Sequence, residues 1–184
     1  VEQHKETLRK NGLGCWSIGS HTRGQLVGDA ADPRHAEFAP PELAGKPDEI
    51  QKWAIDEMMA TPAAAKAFGV DVVTGFMGSP IWAWWYSFPP TSEQQVADGY
   101  GKIVELWSPI FDEFDKHGVR FALEVHPGEI AYDLYTMQRL LEEFGNRKTL
   151  GVNFDPSHLI WQGIQPHLFY RDLAERIYHV HLKD

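Results

Sequence analysis

Two carboxylates and several imidazoles recur where apolar stretches end. Glu124 follows Phe121-Ala122-Leu123, Asp155 follows Val152-Asn153-Phe154, His158 stands three residues beyond Asp155, and His181 closes Tyr178-His179-Val180. Two carboxylates with one or two imidazoles form the kind of oxygen and nitrogen donor set that suits Mn²⁺, Co²⁺, Zn²⁺ or Mg²⁺. The competing reading has Glu124 and Asp155 capping helix N-termini, or pairing with Arg120 and Lys183. A buried carboxylate pair without a counter-ion is costly, which favours the metal. His158 can either ligate or stand beside a substrate.

Other candidates are weaker. His126 lies on the same face as Glu124, beside Pro127-Gly128, and serves either a substrate or its own loop. His179 sits deeper than His181, where a packed interior histidine is the simpler reading. Lys183 can polarise a carbonyl or bind a hydroxyl; equally, it can pair with Asp184 or another neighbour. His21 ends an inner strand face or belongs to a solvated loop. The run Trp82-Ala83-Trp84-Trp85 could cover the apolar face of a ring, although most of the 7 Trp should serve packing.

These groups need elements to hold them. Residues 1–12 read as a helix end closed by Asn11-Gly12. Alternation over 13–20 predicts a strand, and the polar, Gly- and Pro-rich stretch 22–47 a long loop, usually functional or mobile. A helix over 48–68, interrupted at Pro62, precedes an apolar strand over 70–77. Thr91 or Ser92 caps the next helix, with Gln94 or Gln95 completing a capping box. Its apolar residues Val96, Tyr100, Ile103, Trp107, Ile110 and Phe114 are spaced 4, 3, 4, 3, 4, with a kink expected at Pro109 and an end at Gly118. Strands follow over 119–125, 149–155 and 177–183, with helices over 134–144 and 166–176 between them.

Strand–helix alternation predicts a parallel sheet with right-handed crossovers. Three consecutive strands keep Phe121, Leu123, Val152, Phe154, Tyr178, Val180 and Leu182 on one face. Glu124, Asn153, Asp155, His179 and His181 take the other. A doubly wound sheet would be apolar on both faces. A polar inner face converging on one mouth indicates an α/β TIM (β/α)8 barrel. A full barrel needs about 250 residues, so the 184 residues here predict a partial barrel.

The net charge of −9 argues against nucleic acid or an anionic membrane as main partner. No apolar run approaches the roughly 18 residues of a membrane span, and the polar start Val1-Glu2-Gln3-His4-Lys5 shows no signal peptide. The single cysteine, Cys15, excludes an internal disulfide and fits a cytoplasmic, reducing location.

Leu123-Glu124-Val125-His126-Pro127, Asn153-Phe154-Asp155-Pro156-Ser157-His158-Leu159 and His179-Val180-His181-Leu182-Lys183-Asp184 together resemble the sugar phosphate isomerase/epimerase family of xylose-isomerase-like TIM barrels. Gly75-Phe76-Met77-Gly78-Ser79-Pro80-Ile81-Trp82 resembles it too. The resemblance implies a divalent metal held by Glu124, Asp155, His181 and a second Glu on the strand after His181. It implies that His158 contacts substrate beside the metal. It also implies one incomplete barrel domain over 1–184, with strands about three to seven and both ends truncated, inactive by itself.

The implied reaction is isomerisation or epimerisation of a sugar, keto-sugar or cyclic polyol. Glu124 or the second Glu removes a proton next to a carbonyl, giving an enediolate. His126, His158, His21, Trp82 and Lys183 are the expected substrate contacts. Self-association into a homo-oligomer stays open. Dehydration, endonuclease-IV-like phosphodiester hydrolysis and a non-catalytic sugar-binding barrel are the alternatives. The acidic balance disfavours the nuclease.

Overall fold

The structure is a computed structural model that describes residues 1–85 and 87–183, and of Ala36 the backbone only. Five strands form one sheet: β1 (Ile18–Gly19), β2 (Val72–Gly75), β3 (Arg120–Glu124), β4 (Leu150–Phe154) and β5 (Ile177–Val180). All neighbours run parallel, and spatial order equals chain order. A doubly wound sheet reverses its order at a switch point, whereas a barrel wall does not. The partial barrel expected from alternation is therefore what forms.

Helices α1 (Glu2–Lys10), α2 (His21–Asp29), α3 (Pro47–Phe68), α4 (Glu93–His117), α5 (Leu134–Glu143), α6 (Pro156–Trp161) and α7 (Pro166–Leu173) complete the frame. The core lies between the outer sheet face and the surrounding helices. Val73, Phe121, Leu123 and Val152 meet Met58, Trp107, Phe111 and Phe114, all buried. Ser92 and Gln95 form the capping box of α4, and Gly118 ends that helix in the left-handed region at φ 61°.

Several elements differ from expectation. The strand predicted over 13–20 shrinks to Ile18–Gly19, because its ladder begins only opposite Val73. Trp16 is accordingly left exposed. Pro62 and Pro109 interrupt neither α3 nor α4. In each case the preceding hydroxyl returns to a carbonyl four residues back: Thr61 Oγ1 to Glu57 O at 2.8 Å, and Ser108 Oγ to Val104 O at 2.6 Å.

The predicted loop 22–47 opens with α2. Glycine disfavours helix locally, but here it permits contact. A Cβ on Gly24 would lie 2.0 Å from the Phe76 carbonyl oxygen, and one on Gly28 2.7 Å from the Gly78 carbonyl carbon. The helix thus lies directly on the chain leaving β2. Short 3₁₀ turns at Pro33–Phe38 and Pro41–Leu43 follow. Helix α6, also unexpected, starts at Pro156, where Asp155 caps it.

Side chains stack in levels along the inner face. Gly19, Thr74, Ala122 and Gly151 share one level; Glu124, Asn153 and His179 share a higher one. Between β4 and β5 the register shifts after Val152–Ile177, so Asn153 faces His179 and Tyr178 is the extra residue. Tyr178 was expected on the outer apolar face. Its ring instead covers Gly151, where a Cβ would come within 2.2 Å of it, and the Arg120 guanidinium lies 4.5 Å from its centre.

Candidate metal centre

Glu124 is the hub of the barrel mouth. Its Oε1 lies 3.0 Å from His158 Nε2. Its Oε2 lies 2.9 Å from His21 Nε2 and 3.0 Å from His181 Nδ1, and accepts from Asn153 Nδ2 at 3.0 Å. Burial alone would raise the Glu124 pKa. The hydrogen bond from His21 and the charges of His181 and His21 outweigh it, and the group sits below the ordinary glutamate value. Glu124 is therefore held as a carboxylate.

Asp155 divides its two oxygens between two jobs. Oδ1 accepts from Ser157 N at 3.0 Å and Ser157 Oγ at 2.6 Å, capping α6. Oδ2 is buried and makes no oriented hydrogen bond. It is ion-paired with Lys183, and His158 Nε2 lies 3.3 Å away. Burial pushes this carboxyl up, but the Lys183 ammonium and Ser157 hold it at about 2. The capping and ligand readings of Asp155 are thus compatible, since each uses a different oxygen.

Glu124, Asp155 and His181 each present one ligand atom, and the three atoms lie within 4.8 Å of one another. Two buried carboxylates share this space, and one oxygen lacks an oriented donor. Such a donor set suits a divalent cation. The Lys183 ammonium takes up part of that unmet negative charge.

The other predicted residues fall around this cluster. His21 reaches Glu124 from the first turn of α2, not from a strand end. His158 rises from α6 and also meets Lys183 Nζ at 3.4 Å. His126 Nδ1 donates to Pro127 O at 2.7 Å, and its ring centre lies 4.1 Å from that of His158. Burial and the neighbouring His158 hold His126 below the ordinary histidine value. Lys183 pairs with Asp155; the alternative partner Asp184 lies outside the described residues. Trp82 lines a cavity next to His126 rather than touching Glu124. Trp84 is exposed, and Trp85 stands edge-on to Tyr132. The half-buried His179 places its Nδ1 3.0 Å from Asn153 Oδ1.

Asn153 has a larger part than its sequence position suggested. It is fully buried and touches Glu124, His179 and His181 at once. Strand alternation already placed it on the inner face; only the structure shows it as a bridge. Glu129, Asp29 and Gln25 escaped notice altogether. Glu129 Oε2 accepts the Met77 and Gly78 N–H groups, both at 2.9 Å, and Gln25 donates to Asp29. Burial pushes Asp29 up to about 8, with Glu129 adding to the rise. Burial likewise raises Glu129 to about 7 against the pull of its backbone donors. No periodic signal marks these acids.

The chain belongs to the xylose isomerase-like TIM barrel family, whose model matches residues 1–184. A curated relative, the uncharacterized protein YfiH of Bacillus subtilis, is 29% identical over 150 residues, covering 75% of this chain and 47% of its own length. The chain therefore spans about half of that relative. Among solved structures, it is similar to 3-keto-D-glucoside 4-epimerase YcjR from E. coli, with TM-score 0.71, 13% identity and coverage of 100% and 64%. It is similar to the probable 3-DHS dehydratase AsbF from Bacillus anthracis, with TM-score 0.68, 19% identity and coverage of 100% and 57%. A xylose isomerase-like barrel from Mycobacterium smegmatis, in complex with magnesium, gives TM-score 0.65, 16% identity and coverage of 100% and 55%. At these identities the likeness shows the fold. Among the described residues, no helix is long and apolar enough to cross a membrane.

Proposed function

We propose that this chain carries the core of the active site of a divalent-metal-dependent isomerase or epimerase acting on a sugar, keto-sugar or cyclic polyol. The observation that carries this reading is the convergence of Glu124, Asp155 and His181 from three successive strand ends, their ligand atoms within 4.8 Å. Family membership and likeness to sugar epimerases support it.

Glu124, Asp155 and His181 would hold the ion. When bound, a divalent ion supplies Lewis-acid polarisation of a carbonyl oxygen. Glu124, kept ionised, takes the proton from the carbon beside that carbonyl. The substrate becomes an enediolate. Delivery of a proton to the opposite face by a second acid, the part that falls to the second Glu expected on the strand after His181, epimerises the substrate; return of the proton by Glu124 to the neighbouring carbon isomerises it. His158 fixes the Glu124 carboxylate through Oε1. Lys183 presents N–H groups to substrate hydroxyls, His126 offers its Nε2 as an acceptor because its Nδ1–H is held by the Pro127 carbonyl, and Trp82 covers an apolar ring face. Asn153 holds Glu124 and His181 in register.

The experiment is isotope exchange by the full-length protein with keto-sugars in D₂O. Exchange next to the carbonyl should require Mn²⁺ or Co²⁺ and stop on chelation. Glu124→Gln should abolish it. Exchange that persists with EDTA, or is unchanged in Glu124→Gln, would remove this reading. Likeness to AsbF supports a second outcome of the same proton removal, loss of a neighbouring hydroxyl. Dehydration leaves a conjugated product that absorbs in the ultraviolet, and epimerisation does not.

A further inference from the structure

His21 reaches Glu124 from the first turn of α2, so the place of that helix decides whether the contact exists. On one side α3 supports it, with Gln51 Nε2 donating to the Val27 carbonyl at 2.9 Å. On the other side Gly24 and Gly28 lie on the segment 76–79 that leaves β2. Gly78 completes this contact. It is left-handed at φ 73°, and a Cβ there would fall 2.3 Å from the Gln25 carbonyl oxygen. Packing this close transmits displacement, so α2 follows 76–79.

The segment 76–79 is held in turn from the loop after β3. Glu129 stands five residues beyond Glu124 and is 2% exposed. A single oxygen, Oε2, accepts the successive Met77 and Gly78 N–H groups, both at 2.9 Å. Successive N–H groups turned toward one point form an anion-binding concavity, and here a buried carboxylate fills it. Gln25 hydrogen-bonds the same carboxylate from α2, and Asp29 accepts from Gln25 and from the Ser79 N–H. Glu129 is itself anchored, its own N–H donating to the His126 carbonyl at 3.0 Å.

These contacts close a circuit. It leaves β3 at Glu124, follows the loop to Glu129 and crosses to Met77 and Gly78. It then passes into α2 at Gly24 and Gly28, and returns from His21 Nε2 to Glu124 Oε2 at 2.9 Å. We infer that Glu129 is a positioning residue of the metal centre: it holds the segment on which α2 docks, and so keeps His21 on the Glu124 carboxylate. This rests on the proposed metal-dependent reading, in which Glu124 is a ligand. Glu129 thereby differs from residues that only stabilise the barrel. Phe114, buried against Phe111 and Phe121 at the end of α4 away from the mouth, is one of those.

Calorimetric titration of the full-length protein with Mn²⁺ tests this through a double-mutant cycle. Glu129→Ala and His21→Ala should each weaken Mn²⁺ binding by about ten-fold or more, as loss of a ligand's partner does. The double variant should bind within about two-fold of His21→Ala alone, because Glu129 acts through His21. Glu129→Gln keeps an oxygen for the Met77 and Gly78 N–H groups and should restore most of the affinity. Phe114→Leu should lower the thermal midpoint and leave Mn²⁺ affinity as it was. Unchanged or tighter binding in either single variant overturns the inference, as do losses that multiply in the double variant. Glu129→Gln as weak as Glu129→Ala overturns it, and so does an equal loss in Phe114→Leu, since general destabilisation would then suffice. If Glu129→Ala does not fold, Gly24→Ala, the next link, takes its place in the cycle with the same expected and overturning outcomes. Absence of Mn²⁺ binding to wild type would instead defeat the underlying metal reading. Wild-type Mn²⁺ binding that survives Glu129→Ala would defeat this inference alone.

Discussion

His179 faces Asn153 across β4 and β5, although the preceding pair is Val152 with Ile177. Tyr178 is the extra residue, and the shift brings the next inner residues, Asp155 and His181, to the same height. Without it, Asn153 would face Tyr178, and a one-residue slip sends side chains to the opposite face. The shift is what lets the imidazole of His181 approach the carboxylate of Asp155, with Nδ1 and Oδ2 3.8 Å apart.

Gly151 permits that shift, because Tyr178 lies over it. A Cβ there would fall 2.2 Å from Tyr178 Cε2 and 2.5 Å from the Arg176 carbonyl oxygen. Gly151→Ala should destabilise the fold by about 1–3 kcal/mol, as overpacking does. Urea unfolding measures it. A change within a few tenths of a kcal/mol would mean that β5 does not hold this register.

Asn153 bridges Glu124 and His181, so its loss should act on metal affinity before it acts on folding. Asn153→Ala is expected to weaken Mn²⁺ binding by ~10–100-fold, the usual effect of removing a partner of a metal ligand. Asp155→Ala should weaken it more. Isothermal titration with Mn²⁺ reads both, and circular dichroism checks that the barrel remains. Unaltered affinity in Asp155→Ala would exclude Asp155 as a ligand.

The docking of α2 predicts sensitivity at Gly24. A side chain there must displace either the helix or the Phe76 carbonyl, 2.0 Å from the added carbon. Gly24→Ala should cost about 1–3 kcal/mol despite its better helix propensity. It should also loosen His21, which α2 carries to Glu124. A thermal midpoint equal to or above wild type would contradict this packing.

Asp29 and Glu129 predict a stability that falls toward alkaline pH. Both carboxyls are raised in the fold, to about 8 and about 7, from ordinary values of 3.8 and 4.5. The folded state therefore binds these protons more tightly than the unfolded state. Their contribution is fully present below about pH 4 and is lost as pH rises through about 7 and about 8. Asp29→Asn should flatten the slope between pH 5 and pH 8, measured by urea unfolding at several pH values. An identical slope in the variant would show that Asp29 is not the group responsible.

Much of the frame is local and was legible before folding was considered. Alternation in Phe121–Val125 and Val152–Asp155 placed Glu124, Asn153 and Asp155 on one face, because successive side chains of a strand must point to opposite sides. The 3–4 spacing along Tyr100, Ile103, Trp107 and Phe114 marked the buried stripe of α4 for the same kind of reason. Chain order then limited the sheet to parallel neighbours. Glu124, Asp155 and His181 could thus be named as a set from strand ends alone.

Tertiary structure decided what depends on a distant partner. Helix α2 carries glycines that read as loop, and it forms because those glycines meet the backbone of Phe76 and Gly78. The β4–β5 register is fixed by how Tyr178 fits over Gly151, not by any pattern within β5. The division of Asp155 between capping α6 and facing the cluster needs both partners in place. Glu129 and Asp29 lie in segments without periodicity, and only burial against Met77, Gly78, Ser79 and Gln25 turns them into raised, buried acids. Periodicity is written in neighbouring residues; close approach, register and desolvation belong to pairs the chain brings together only when folded.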